Sequence, residues 1–209
     1  MDKLKKTIIY LIVILLNIST SFAQMKKMEN VNSFVKKMEQ TASSINSIES
    51  NLKQTKHINA FKQNLVSLGK FYYKEDKISL HYTMPRPYLV VINNGKIKIE
   101  SAGKKNIMDL KDNKEMQEMN NMLKVGMTGN LSNVSKDYLL EFFEDDQYYM
   151  VNVKPVNESA KKYMLDIYFN KKDMSVDKMR MSENGGDYTE YQFLNKKLNT
   201  LKNDDLFKI

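Results

Sequence analysis

From residue 25 onward the chain switches between two periods of apolar positions. Residues 25–41 (MKKMENVNSFVKKMEQT) set Met28, Val31, Val35 and Met38 three and four apart, with Lys and Glu between them. That spacing predicts a helix with one apolar stripe. From Ile45 the period drops to two, and Ile45, Ile48 and Leu52 sit in a strand-like stretch. Residues 69–101 (GKFYYKEDKISLHYTMPRPYLVVINNGKIKIES) hold four short strand candidates. These are Phe71 to Lys74; Ile78, Leu80 and Tyr82 alternating with Ser79 and His81; Tyr88 to Ile92; and Ile97 and Ile99 alternating with lysines. Glu75-Asp76 turns between the first two. Asn94-Gly95 is a strong hairpin signal, since both central residues of that turn need positive φ. Pro85 and Pro87 belong at a strand end or edge, because proline cannot donate to the ladder.

Residues 106–127 break the β pattern. Met116, Met119, Leu123 and Met127 fall near one helical face, with Met122 adjacent, and Gly126 and Gly129 end the run. Strands return at Tyr138 to Phe143, Tyr148 to Val153 and Tyr163 to Phe169. Asn184-Gly185-Gly186 marks a further hairpin, followed by Thr189, Tyr191 and Phe193 in alternation. One helix, many strands, a helical insert and more strands predict an α+β domain. Its sheet is large, antiparallel, and curled or barrel-like, with the helices covering one face.

The first 23 residues read as a removable leader rather than as part of the fold. Lys3, Lys5 and Lys6 precede ten apolar residues, 7–16, and a small-residue ending Ser21-Phe22-Ala23. That order is a secretory signal peptide, and the apolar run is short for a membrane span. Residues 24–209 then form a single domain, expected in the periplasm. The chain has no cysteine, which excludes disulfides, thiol nucleophiles and cysteine metal sites. It also removes the residue on which a bacterial lipoprotein is acylated. The formal charge is +8; without Asp2 and the three leader lysines it is +6. A basic surface attracts anions, and for an exported protein those are lipid headgroups more than nucleic acid.

No catalytic constellation emerges. His57 and His81, the only histidines, lie on different strand candidates without companion ligands. There is no Gly-x-Ser-x-Gly elbow and no glycine-rich phosphate loop. Glu144-Asp145-Asp146 sits where a solvated turn is expected, and three consecutive acids do not make a calcium site. These readings point to no enzyme, no metal and no cofactor. The apolar chemistry is richer. Fifteen methionines are many for this length, and five of them lie between 108 and 127. Methionine surfaces adapt to apolar ligands of varied shape, or simply pack as core. Burying an acyl chain of ~15 methylenes would gain roughly 12 kcal/mol gross, so a carrier that must also deliver needs incomplete burial.

Gly69-Lys70-Phe71-Tyr72-Tyr73-Lys74, then Ile78-Ser79-Leu80-His81-Tyr82-Thr83-Met84-Pro85, then Val91-Ile92-Asn93-Asn94-Gly95-Lys96, resemble the LolA family of outer-membrane lipoprotein carriers. Tyr191-Gln192-Phe193-Leu194-Asn195, Asn199 and Asp205-Leu206-Phe207 agree with that pattern. The resemblance implies an incomplete, unclosed antiparallel β-barrel with helices over a concave hydrophobic face. It implies a monomeric periplasmic carrier that shields lipoprotein acyl chains between inner and outer membrane. The implied partners are an acylated lipoprotein cargo, an inner-membrane lipoprotein-releasing transporter and an outer-membrane acceptor. An alternative on the same fold is a module that senses or transports free lipid or glycolipid. The candidate cavity residues are Phe71, Tyr73, Ile78, Leu80, Tyr82, Leu89 and Val91, joined by Met116, Met119, Leu123 and Met127. Which alternate strand face points inward stays open, because a one-residue slip reverses it. Lys74 stands where many members carry the arginine that latches the helical cover. Lysine lacks the planar fork of arginine, so the exchange is not conservative. Family tryptophans are missing, and Leu80 occupies one such place.

Overall fold

The computed structural model describes residues 25–209, apart from 43, 62, 113, 130, 132–133, 135–137, 157–162 and 184. The expected leader lies outside the described residues. Twelve strands form one sheet in which every pairing is antiparallel. They are β1 (Lys26–Lys27), β2 (Ser47–Ile58), β3 (Gln63–Lys74), β4 (Lys77–Met84), β5 (Tyr88–Asn93), β6 (Lys96–Ser101), β7 (Lys104–Asp109), β8 (Tyr138–Glu144), β9 (Tyr148–Pro155), β10 (Tyr163–Asn170), β11 (Val176–Glu183) and β12 (Tyr188–Leu198). Helix α1 spans Val31–Ala42 and α2 spans Lys114–Thr128. No described helix is long and apolar enough to cross a membrane.

Strand order is β1-β8-β9-β10-β11-β12-β2-β3-β4-β5-β6-β7. Two meanders, β2 to β7 and β8 to β12, therefore join side by side through β12 and β2. The outermost strands β1 and β7 do not pair, so the sheet is unclosed. Each helix lies in a connection that leaves one meander's edge. α1 links β1 to β2, and α2 links β7 to β8. Local chemistry sets the turns. Asn94 and Gly95 hold φ of 49° and 71°, the positive values the β5–β6 hairpin needs.

The structure corrects the helix read over 25–41. Lys26–Lys27 pair with Glu144 and Phe143 instead, and Asn30 starts α1 by accepting the Ser33 N–H on Oδ1 at 3.2 Å. Three further strands or extensions left little sequence signal. β7 (KKNIMD) is a largely polar edge strand. β11 loses its alternation at the register shift between Tyr168 and Phe169 of its partner β10. β3 begins eight residues before Phe71.

Candidate binding face

Registers across the sheet assign every side chain to one of two faces, because successive residues of a strand alternate. Ile48, Ser50 and Leu52 of β2 pair with Tyr73, Phe71 and Gly69 of β3. Those three pair in turn with Ile78, Leu80 and Tyr82 of β4, which lie opposite Ile92, Val90 and Tyr88 of β5. Ile97 and Ile99 of β6 and Met108 of β7 continue the row to one edge. In the other direction Leu52 meets Phe193 of β12, and Tyr191 meets Met179 of β11. Ile167 and Leu165 of β10, Val151 and Val153 of β9, and Phe142 and Leu140 of β8 complete it. One apolar face thus runs from β7 to β8.

Both helices touch this face. Phe34 of α1 lies with its ring centroid 5.9 Å from Phe142, 4.8 Å from Tyr149 and 6.3 Å from Phe169. Gly126 of α2 rests on Met179: a Cβ at that glycine would come within 2.5 Å of the Met179 methyl. Met38, Leu123 and Met127 are buried in the same connected cluster. Met108, Met179 and Met181 join it from the sheet, so thioethers line both the helical and the strand side.

At the end nearest the β2–β3 turn the face becomes polar. Tyr82 and Tyr88 stack with centroids 4.1 Å apart, and the Tyr82 hydroxyl donates to Gln54 Oε1. Burial raises the Tyr82 and Tyr88 phenols above their ordinary value, and burial followed by the nearby Tyr88 pushes Tyr191 up to about 12. These phenols stay protonated at physiological pH and can donate hydrogen bonds. Deeper in, the Ser50 Oγ and Asn120 Oδ1 are buried without a hydrogen-bond partner. Asn120 precedes Leu123 by three residues, on the same helical stripe.

The structure places the expected cavity residues as follows. Phe71, Tyr73, Ile78, Leu80 and Tyr82 share the apolar face, and all five are buried. Leu123 and Met127 of α2 belong to the same buried cluster. Met116 and Met119 belong to the same helix, but their side chains are outside the described ones. Two assignments need correcting. Leu89 and Val91 pair with His81 and Ser79 on the opposite face, and Tyr88, Val90 and Ile92 take the inner positions. The signal misled because β5 is apolar on both faces, so alternation vanishes. Lys74 also projects from the opposite face. Its Nζ bonds Asp204 Oδ1 at 2.8 Å, so the expected latch holds the C-terminal segment rather than α1 or α2. That segment, with a 3₁₀ turn at Asp204–Phe207, packs on β4 and β5. It buries Phe207 and offers its Phe207 and Lys208 carbonyls to Asn93 Nδ2 at 3.0 Å and Lys98 Nζ at 2.5 Å. Val91 and Phe207 are buried but lie apart from the inner cluster.

No group of three or more metal-ligating side chains occurs among the described residues. The described residues thus form an unclosed antiparallel sheet with one continuous apolar face that both helices touch. The family model for the outer membrane lipoprotein carrier protein LolA matches residues 43–209, and the chain belongs to this family. Its members are carriers or binding proteins and not enzymes, and they are periplasmic.

Among solved structures, the Pseudomonas aeruginosa MucA/MucB complex is similar at 13% identity and a TM-score of 0.51, covering 85% of this chain and 60% of that one. A LolA superfamily protein from Nitrosomonas europaea is similar at 12% identity and TM-score 0.43, covering 84% and 97%. LprF from Mycobacterium bovis is similar at 7% and 0.43, covering 85% and 96%. No curated protein matches the sequence.

Proposed function

We propose that this chain is a periplasmic carrier whose apolar sheet face, roofed by α1 and α2, shields the acyl chains of a lipoprotein between inner and outer membrane. The observation that carries the reading is the continuity of that face across both meanders, with each helix placed in a connection that leaves one of the sheet's edge strands rather than within a meander. Hydrocarbon entering between helix and sheet would replace side-chain contacts that methionines on both sides can remake. The membership in a family of lipoprotein carriers supports the same cargo.

Two of the three unpartnered buried polar atoms among the described residues, Ser50 Oγ and Asn120 Oδ1, fit such a ligand. A buried acceptor or hydroxyl left unpaired costs about 1–3 kcal/mol. The ester and amide groups at the head of an acylated cysteine would give Ser50 an acceptor and Asn120 Oδ1 a donor. No covalent step is involved. Donor transporter and acceptor act as thermodynamic neighbours, and release follows transfer to a tighter site. The leader of residues 1–23 would supply export.

Native mass spectrometry of protein purified without detergent tests this reading. A co-purifying triacylated peptide is the expected result. Free lipid or glycolipid in its place would favour a lipid-sensing or lipid-transporting module on the same fold, and no ligand after exposure to triacylated peptide would refute both.

A further inference from the structure

The far end of the β2–β3 hairpin is built unlike the rest of the sheet. β3 pairs with β4 only from Leu68, opposite Met84, to Lys74. Residues 63–67 therefore have β2 on one side and no strand on the other. Along this arm Phe61 is 71% exposed, Leu65 57% and the adjoining Met84 56%, with Val66 and Leu68 also exposed. Phe61 caps the turn at Asn59–Phe61. Leu65 shares the face of Phe71, whereas Val66 and Leu68 alternate onto the other. Apolar groups thus lie at the tip and on both faces of the arm, whose β3 edge is open while β12 and the β11–β12 turn flank its β2 edge. Large exposed apolar residues gathered in one place mark an interaction site.

Charge identifies the occupant. From Ser50 to Lys74 the sequence has five lysines and no acid, and from Lys77 to Ile99 it has Lys77, Arg86, Lys96 and Lys98 and again no acid. Glu75 and Asp76, between those stretches, lie in the turn at the opposite end of the hairpin. The neighbouring β11–β12 hairpin brings carboxylates alongside: Asp187 Oδ1 accepts the Asn59 N–H at 2.8 Å, and Glu190, opposite Thr55, is held by Arg180 at 3.1 Å. Lys53, Lys56 and Arg86 enter no ion pair among the described residues. A protein pocket would receive one side of a ribbon. A bilayer interface accepts apolar groups from both faces and the open edge of the arm at once, and its anionic headgroups accept the basic collar. We infer that the β2–β3 arm docks this protein on a lipid surface carrying anionic headgroups, with Phe61, Leu65 and Val66 entering the interface and Lys53, Lys56 and Arg86 contacting headgroups. This goes beyond the carrier reading and does not depend on what the inner face holds.

The chain contains no tryptophan, so Phe61→Trp places a single reporter at the tip. With vesicles of phosphatidylethanolamine and phosphatidylglycerol its emission shifts to the blue and is quenched by brominated acyl chains. With phosphatidylcholine vesicles, or at high salt, the shift disappears as screening removes the headgroup attraction. In flotation assays the unsubstituted protein rises with the anionic vesicles. The Phe61→Ser/Leu65→Ser/Val66→Ser variant loses at least about tenfold in bound fraction while its melting midpoint stays put. Absence of a shift with every vesicle overturns the inference, as does a triple variant that floats like the parent. A shift that needs no lipid and tracks protein concentration would assign the tip to a second copy, and would overturn it as well.

Discussion

The two ends of the β2–β3 hairpin share strands and antiparallel pairing but differ in fate. At the foot, Ile48, Leu52, Phe71 and Tyr73 are buried in the inner cluster. At the tip, Phe61, Leu65 and Val66 face solvent. The amino acids are equally apolar, so hydrophobicity does not separate them. Neighbours do: the foot has β4 beside it and residues from both helices in its cluster, while residues 63–67 have β2 alone. Gly69 marks the boundary, next to the register shift between Leu68 and Gly69. A Cβ there would lie 2.2 Å from the His81 carbonyl oxygen. An apolar residue in a sheet is thus core or contact surface according to what the topology lays over it.

The sharpest break of this contrast exchanges one phenylalanine at each end. Phe71→Ala should cost about 3–5 kcal/mol through the cavity it leaves, and Phe61→Ala less than about 0.5 kcal/mol, both read from urea unfolding. Equal effects would show that the tip is packed. Next comes the boundary itself. Gly69→Ala should destabilise by about 2 kcal/mol, because backbone must move. Gly126→Ala meets only the flexible Met179 thioether, and gains helix propensity of about 1 kcal/mol in return, so it should come out near neutral.

A smaller effect concerns the face opposite the core. Burial, reinforced by Lys98, holds the His81 imidazole below its ordinary value of 6.5. The unfolded chain then binds the proton first as pH falls, so stability drops below about pH 6.5 and levels off under the lowered value. His81→Gln should flatten that slope in pH-dependent thermal melts. The smallest effect belongs to Lys74. Its hydrogen bond draws the Asp204 carboxyl below the usual range, and that bond is lost as pH falls through the lowered value. Asp204→Asn should speed hydrogen exchange at the Lys208 amide, which donates to Asp205 O, and leave exchange in β10 unchanged.

Much of the fold was written in the periodicity. The strands of the first meander from Phe71 to Ile99 follow it, because β4 and β6 alternate apolar inward residues with Ser79, His81, Lys96 and Lys98. The pattern failed where burial is two-sided. Val91 is covered on the outer face of β4 and β5, where Phe207 and the C-terminal turn pack, so Leu89-Val90-Val91-Ile92 carries no alternation and the inward set came out shifted by one. Lys98 looks solvated in sequence yet is buried with its ammonium on a main-chain carbonyl. The partner of Lys74 was illegible for another reason: Asp204 is 130 residues away, and spacing cannot join them. The exposed tip gave no local signal either, since exposure of Phe61 depends on where β4 ends.

The central claim is that hydrocarbon sits on the inner face, and crosslinking tests it most directly. A tripalmitoylated peptide with diazirines in its acyl chains, bound and irradiated, should label Tyr82, Val90, Ile99, Leu123 and Met181 and spare Leu89, His81 and Lys178. Label confined to the outer face or the hairpin tip would contradict the account.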